Sequence, residues 1–193
     1  MTTESLYSIF KECSGISTDT RNIFENCLFV ALKGDNFNGN KFAEEALNSG
    51  AKFALVDEKE FATTPLHILV DDCLAALQEL SKHYREQLSI PIIGLTGSNG
   101  KTTTKELIQS VLKQDHSVFA THGNLNNHIG VPLSILSIKD IHDIAIIEMG
   151  ANHQKEIEFL CTLSQPNFGV ITNIGKAHLE GFGGEEGVKR GKK

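Results

Sequence analysis

The chain has 193 residues, a formal net charge of −6 and 40% hydrophobic residues, with no low-complexity run. That composition suits a packed core in one large or two small domains. It excludes the basic face that a nucleic-acid partner needs, and the terminal run Lys189-Arg190-Gly191-Lys192-Lys193 reads as a solvated end. No apolar run approaches the roughly 18 residues of a spanning helix, and no N-terminal stretch has a leader's layout. Cys13, Cys27, Cys73 and Cys161 are scattered singly, as expected of reduced thiols. A soluble cytoplasmic protein without membrane insertion is expected.

Two α/β regions follow each other. In residues 1–88, Cys27–Gly34 (CLFVALKG) reads as a short buried strand ended by Gly34. Residues 40–51 read as a helix with Phe42, Ala43, Ala46 and Leu47 on one face and Gly50 as its stop. Lys52–Asp57 is a second strand. Residues 71–88 form a second helix, capped by Asp71, with Leu74, Leu77, Leu80, Tyr84 and Leu88 inward. In residues 89–193 the alternation becomes regular. Ile92–Leu95 reads as a strand buried on both faces, residues 102–113 as a helix, and Ser117–Ala120 and Asp143–Gly150 as strands. Residues 154–164 follow as a helix and 167–175 as a strand. The pattern implies a parallel sheet with a glycine loop after its first strand.

That loop, Gly94-Leu-Thr-Gly-Ser-Asn-Gly-Lys-Thr-Thr-Thr104, misses the G-x-x-x-x-G-K-[ST] pattern by one residue, because Leu95 stands where a glycine is required. Strand, glycine-rich turn and helix nevertheless suit a phosphate. Glycines let the backbone approach an anion, and the helix N-terminus adds its positive end. Thr96, Gly97, Ser98, Asn99, Gly100, Lys101 and Thr102 are the candidate ATP-binding residues, with Lys101 on the β- and γ-phosphates and the Thr102 hydroxyl on Mg²⁺.

Other stretches leave alternatives open on their residues alone. Glu148 ends an apolar strand, where a carboxylate can hold Mg²⁺ or merely meet solvent. Asn173, His178 and Glu180 lie among glycines after the last strand, and His178 fits a metal ligand or a solvated loop residue. His67, His83, His116, His122, His128, His142 and His153 show no paired metal spacing and are assigned no role. The Asn-rich stretch THGNLNNHIGVP (residues 121–132) can read a polar substrate or form a turn-rich crossover. Arg21, after short hydroxyls, suits phosphate or a surface loop.

Taken together, STDTR, CLFVALKG, TGSNGKTTTKE, GNLNNHIGVPLSIL, EMGANHQKEI and TNIGKAHLEGFG, in that order, resemble the Mur ligase family. The Asn-rich and Glu-Met-Gly-Ala runs resemble its MurF type, which joins D-alanyl-D-alanine to UDP-N-acetylmuramoyl-tripeptide in peptidoglycan precursor synthesis. In this family the loop has the form T-G-x-x-G-K-T, so Leu95 is normal. The resemblance implies ATP and Mg²⁺ as cofactors, and Lys101, Glu148 and His178 as catalytic residues. It implies Thr102, Glu148, His178 and a carbamylated Lys192 on metal. Thr20, Arg21, Asn38, Asn126 and Asn127 fall in stretches implied to bind the UDP-sugar-peptide. Asn38 and Asn40 replace the family's usual Asp-Gly-His wording, and Lys193 departs from Lys-Gly-Glu.

The implied architecture is a UDP-substrate domain over 1–88 followed by the first half of an ATPase domain over 89–193. The C-terminal part of the ligase is expected to be lacking, and the full-length family member to be monomeric. The rival readings are a catalytically incomplete UDP-sugar or phosphate-binding module, and another Mur-type ligase. On either, an incomplete central sheet is expected to expose an edge strand and apolar surface.

Overall fold

A computed structural model describes residues 1–175, together with Gly187 and Gly191. The chain divides into two compact units, Met1–Tyr84 and Arg85–Lys193.

The first unit opens with α1, Thr3–Lys11, capped by the Thr2 hydroxyl, which accepts from the Ser5 N–H. Leu6 and Phe10 are its buried positions, and Phe10 meets Tyr84 edge-on at 5.7 Å. Strands β1 (Ile16–Ser17) and β2 (Leu28–Val30) follow. The segment expected to run as one strand to Gly34 divides instead. After β2, a two-residue β3 (Lys33–Gly34) turns back antiparallel on β4 (Phe37–Asn38). The helix after it, α2, covers Ala43–Asn48 and ends at Gly50, which takes a φ of +111°. Strands β5 (Phe53–Val56) and β6 (His67–Leu69) complete a parallel sheet of order β1-β2-β5-β6.

Its core is dry: Leu28, Val30, Ala31, Ala54, Leu55 and Val56 have no exposed surface. The last helix, α3 (Cys73–Gln87), is capped by Asp72, whose carboxylate accepts the Ala75 N–H at 2.8 Å. Asp71 lies one residue outside the capping position. Leu77 and Leu80 are fully inward, whereas Leu74, Tyr84 and Leu88 are half-buried.

The second unit is a strand–helix alternation. It runs β7 (Ile92–Thr96), α4 (Lys101–Leu112), β8 (Val118–Ala120), α5 (Gly130–Leu136), β9 (Ile144–Glu148), α6 (Glu156–Ser164) and β10 (Phe168–Ile171). All four strands are parallel, in the order β10-β7-β9-β8. Helix α5 was not expected. Asn127 makes it possible, since its Oδ1 accepts the N–H groups of Ile129 and Gly130 at 3.1 and 2.8 Å. Between β7 and β8, α4 carries the chain past β9; between β9 and β10, α6 carries it back past β7. The chain therefore leaves the adjacent strands β7 and β9 in opposite directions, and their carboxyl ends frame the crevice where open α/β sheets bind ligands.

Arg85 is buried in this unit. It donates to the carbonyls of Ser164, Gln165 and Leu88, closing the C-terminal end of α6. Strand β10 lies at the sheet edge with Phe168 and Ile171 exposed. Among the described residues no helix is long and apolar enough to cross a membrane. All four cysteines are free thiols, and burial pushes the Cys13 thiol up to about 11.

Candidate functional site: a phosphate loop beside a buried carboxylate

Strand β7 ends at Thr96 and the chain turns through Gly97 (φ +150°) and Gly100 (φ +76°) into α4. Gly97 is obligatory for space as well as for angle, because a Cβ there would collide with Thr172 Oγ1. Gly100 is the N-cap of α4, and its carbonyl accepts the Thr104 N–H at 2.9 Å. That is the helix's first i→i+4 bond, so the N–H groups of Lys101, Thr102 and Thr103 precede it at the positive end of the helix. Lys101 Nζ donates to the Gly97 carbonyl at 2.9 Å, folded over the loop.

Glu148 ends β9, in register with Leu95. Its side chain is only 2% exposed, and the groups around it come from α4, the end of β8 and the loop before α5. Asn126 Nδ2 donates to Oε1 at 3.0 Å, and Thr102 Oγ1 donates to the same oxygen at 3.4 Å. Thr121 Oγ1 accepts the Glu148 N–H at 3.0 Å. Lys105, one turn beyond Lys101 on α4, is buried, donates to the Thr121 carbonyl at 2.6 Å and sits 4.0 Å from Glu148 Oε2. A buried carboxylate needs such a cation.

Among the described residues, two buried side-chain oxygens have no hydrogen-bond partner: Glu148 Oε2 and Thr96 Oγ1 at the end of β7. Unused lone pairs on a carboxylate, with hydroxyls nearby, are the donors a hard divalent cation takes. Among the described residues no group of three or more His, Cys, Asp or Glu gathers as a metal site. The residues present thus fit Mg²⁺, which commonly takes one or two carboxylates and fills its shell with water and phosphate oxygens.

A cleft of about 660 Å³ adjoins Lys101, walled by Asn126, Asn127, Gly150, His153 and Phe159 among others. Its far wall is the start of α6, where Glu156 Oε2 accepts the N–H groups of Asn152 and His153 at 2.6 and 3.0 Å. Burial opposes its ionisation, but those bonds outweigh it and hold Glu156 below the usual carboxylate range. Lys155 takes a φ of +68° there, unusual for a residue with a side chain.

The expected residues are placed as follows. The loop residues, Lys101, Thr102, Glu148 and Asn126 come together in the second unit. Asn126 is engaged with the carboxylate, and Asn127 is engaged in starting α5. Thr20 and Arg21 lie in a short 3-10 turn of the first unit, with Arg21 paired to Asp19 at 2.6 Å and 87% exposed. Asn38 is also engaged: Nδ2 donates to both oxygens of Glu58 at 3.1 Å, and Oδ1 accepts from Asn40. His178, Glu180 and Lys192 lie outside the described residues. The sequence reading missed Lys105, Thr121 and Thr172. A lysine on an early turn of a helix reads as exposed; the one signal was its i+4 spacing from Lys101, which puts both on one helix face.

The Mur ligase middle domain matches residues 95–193, and the Mur ligase family catalytic domain matches residues 12–85. The chain belongs to the Mur ligase family. The UDP-N-acetylmuramoyl-tripeptide–D-alanyl-D-alanine ligase of Bacillus subtilis (strain 168) is 44% identical over 180 residues, covering 92% of this chain and 39% of that protein. The enzyme of the same name from Haemophilus influenzae is 42% identical over 181 residues, covering 92% and 40%. Among solved structures, MurF from Acinetobacter baumannii superposes with a TM-score of 0.87 at 36% identity, covering 99% of this chain and 45% of that one. MurF ligase from Thermotoga maritima in complex with ADP gives 0.83 at 36% identity, covering 92% and 42%. The mixed α/β fold, with its parallel sheets, is that of these neighbours. The chain spans about two fifths of the length of the curated Mur ligase relatives it matches.

Proposed function

We propose that this chain carries the substrate-side and phosphate-loop portions of an ATP-dependent amide ligase. The ligase joins D-alanyl-D-alanine to UDP-N-acetylmuramoyl-tripeptide in peptidoglycan precursor synthesis. The observation that supports it best is the pairing of the Gly97–Thr102 loop with Glu148 at the carboxyl ends of adjacent strands, in a chain whose relatives bear that ligase name. In this reading the tripeptide carboxylate attacks the γ-phosphorus of ATP, giving an acyl phosphate and ADP. The amine of D-alanyl-D-alanine then attacks the acyl carbon and phosphate leaves. Lys101 swings from Gly97 to neutralise charge on the transferring group, and the N–H groups of Lys101, Thr102 and Thr103 cradle the phosphates. Thr102 and Glu148 would hold Mg²⁺, with His178 and Lys192 as further candidates; the ion supplies charge neutralisation on the phosphate oxygens. Asn126 aims the Glu148 carboxylate, and the adjoining cleft offers room for the acceptor peptide. No protein nucleophile is needed.

Calorimetric titration tests the reading. The chain should bind MgATP and UDP-N-acetylmuramoyl-tripeptide, and Lys101→Ala should remove the first binding and spare the second. Failure of the unsubstituted chain to bind either would overturn the reading. Assayed alone, these 193 residues are expected to form little or no D-alanyl-D-alanine-dependent ADP, since they span about two fifths of the relatives.

A further inference from the structure

We propose that Thr172 and Asn173, which follow β10, are positioning residues that hold the phosphate loop in its anion-accepting shape before any phosphate arrives. The proposal rests on reading Gly97–Thr102 as a phosphate site, and it adds what keeps that site formed.

The loop is a poor candidate to keep its own shape. It is flanked by glycines with φ of +150° and +76°, and Ser98 and Asn99 between them are half-buried and exposed. Such a segment is costly to order on binding. Here it is tied from outside. The Asn173 carboxamide grips Asn99 from both sides: Oδ1 accepts its N–H at 3.1 Å and Nδ2 donates to its carbonyl at 3.1 Å. Thr172 Oγ1 donates to that same carbonyl at 2.6 Å. The Asn173 carbonyl accepts the Ser98 N–H at 3.0 Å, and Ser98 Oγ accepts the Gly175 N–H at 2.9 Å.

The approach is as close as glycine permits, since Thr172 Oγ1 occupies the space of a Gly97 Cβ. The ties also decide which donors remain for the anion. The N–H groups of Ser98 and Asn99 are spent on Asn173, so neither is among the donors offered to the phosphate. Ordering the loop in advance removes an entropic cost from binding.

The test uses the 193-residue chain, with Mg²⁺ and inorganic tripolyphosphate as the probe, so that no nucleobase contact enters. Amide exchange of Ser98 and Asn99 is measured first without ligand. Thr172→Val, which removes one hydrogen bond, should speed that exchange and weaken tripolyphosphate binding about tenfold, and Asn173→Ala, which removes two, should do both at least as strongly. Thr172→Ser, which keeps the hydroxyl, should restore both. Unchanged exchange in both weakened variants would overturn the proposal, as would faster exchange with affinity within twofold of the parent. If the parent chain binds no tripolyphosphate although Ser98 and Asn99 are protected, the phosphate-site reading itself fails and takes this proposal with it.

Discussion

Both units build a four-stranded parallel sheet, but they dispose of their polar side chains in opposite ways. In the first unit Arg21, Asn38 and Asn40 are engaged by protein partners. Asn40, 1% exposed, accepts the Asp57 N–H and donates to the Asp57 carboxylate and the Asn38 amide oxygen. Asn38 is divided between Glu58 and Asn40, Lys33 pairs with Asp57 at 3.0 Å, and Arg21 pairs with Asp19. In the second unit, by contrast, a buried carboxylate oxygen, with Lys105 4.0 Å away, and a buried hydroxyl are left without a hydrogen-bond partner beside a glycine loop. Spare hydrogen-bonding capacity, held in place by neighbours, distinguishes a site that awaits a ligand from a network that stabilises a fold.

The contrast can be broken at several points. Lys105→Ala removes the cation beside Glu148 and orphans the Thr121 carbonyl. It should cost about 3–5 kcal/mol of stability in urea denaturation. A loss below about 1 kcal/mol would mean that Glu148 does not depend on it. Asn40→Ala should cost about 2 kcal/mol, because it unpairs buried groups on Asp57 and Asn38, and should leave tripolyphosphate binding unchanged. A drop in phosphate affinity would count against the first unit's network being structural. Glu148→Gln should reduce the gain in tripolyphosphate affinity that Mg²⁺ provides by about tenfold or more, read by titration with and without the ion. An equal gain in the variant would remove Glu148 from the metal site.

Acid should find the first unit through Asp57. Burial opposes its charge, but bonds from Asn40, the Cys73 N–H and Lys33 outweigh burial and hold its pKa below the usual value. Its folded pKa is thus depressed. The stability it contributes is present above the ordinary aspartate value of 3.8 and is lost as pH falls through the lowered one. Melting temperature against pH should slope downward there, and Asp57→Asn should flatten that slope. The smallest effect is Arg21→Ala. Its guanidinium holds Asp19 down to about 2, but the pair is exposed, and melting temperature near neutral pH should not move measurably.

Much of this was legible in one dimension. The Gly-Lys-Thr loop between a buried apolar run and a helix, and a glutamate closing another apolar run, are local patterns with local causes. So is the stop at Gly50, where a positive φ is required. Other readings turned on the reach of a single side chain. Asp72 rather than Asp71 caps α3 because only its carboxylate reaches the Ala75 N–H. The Asn-rich run yields a helix because the Asn127 side chain satisfies its first N–H groups. Asn126 meets Glu148 from 22 residues away, a contact that the spacing did not announce.

What the amino-acid order determined by itself was the alternation of strands and helices, the glycine-rich loop and the family, since each is encoded by neighbours in the chain and by their periodicity. What only the tertiary structure decided was which polar atoms remain unpaired. Thr102 and Lys105 of α4 meet Asn126 of a later loop at one buried carboxylate, Thr121 holds the backbone N–H of the same residue, and Asn173 reaches back 74 residues to grip the glycine loop. A hydrogen bond is satisfied or not according to distance in space, and no spacing along the chain reports that.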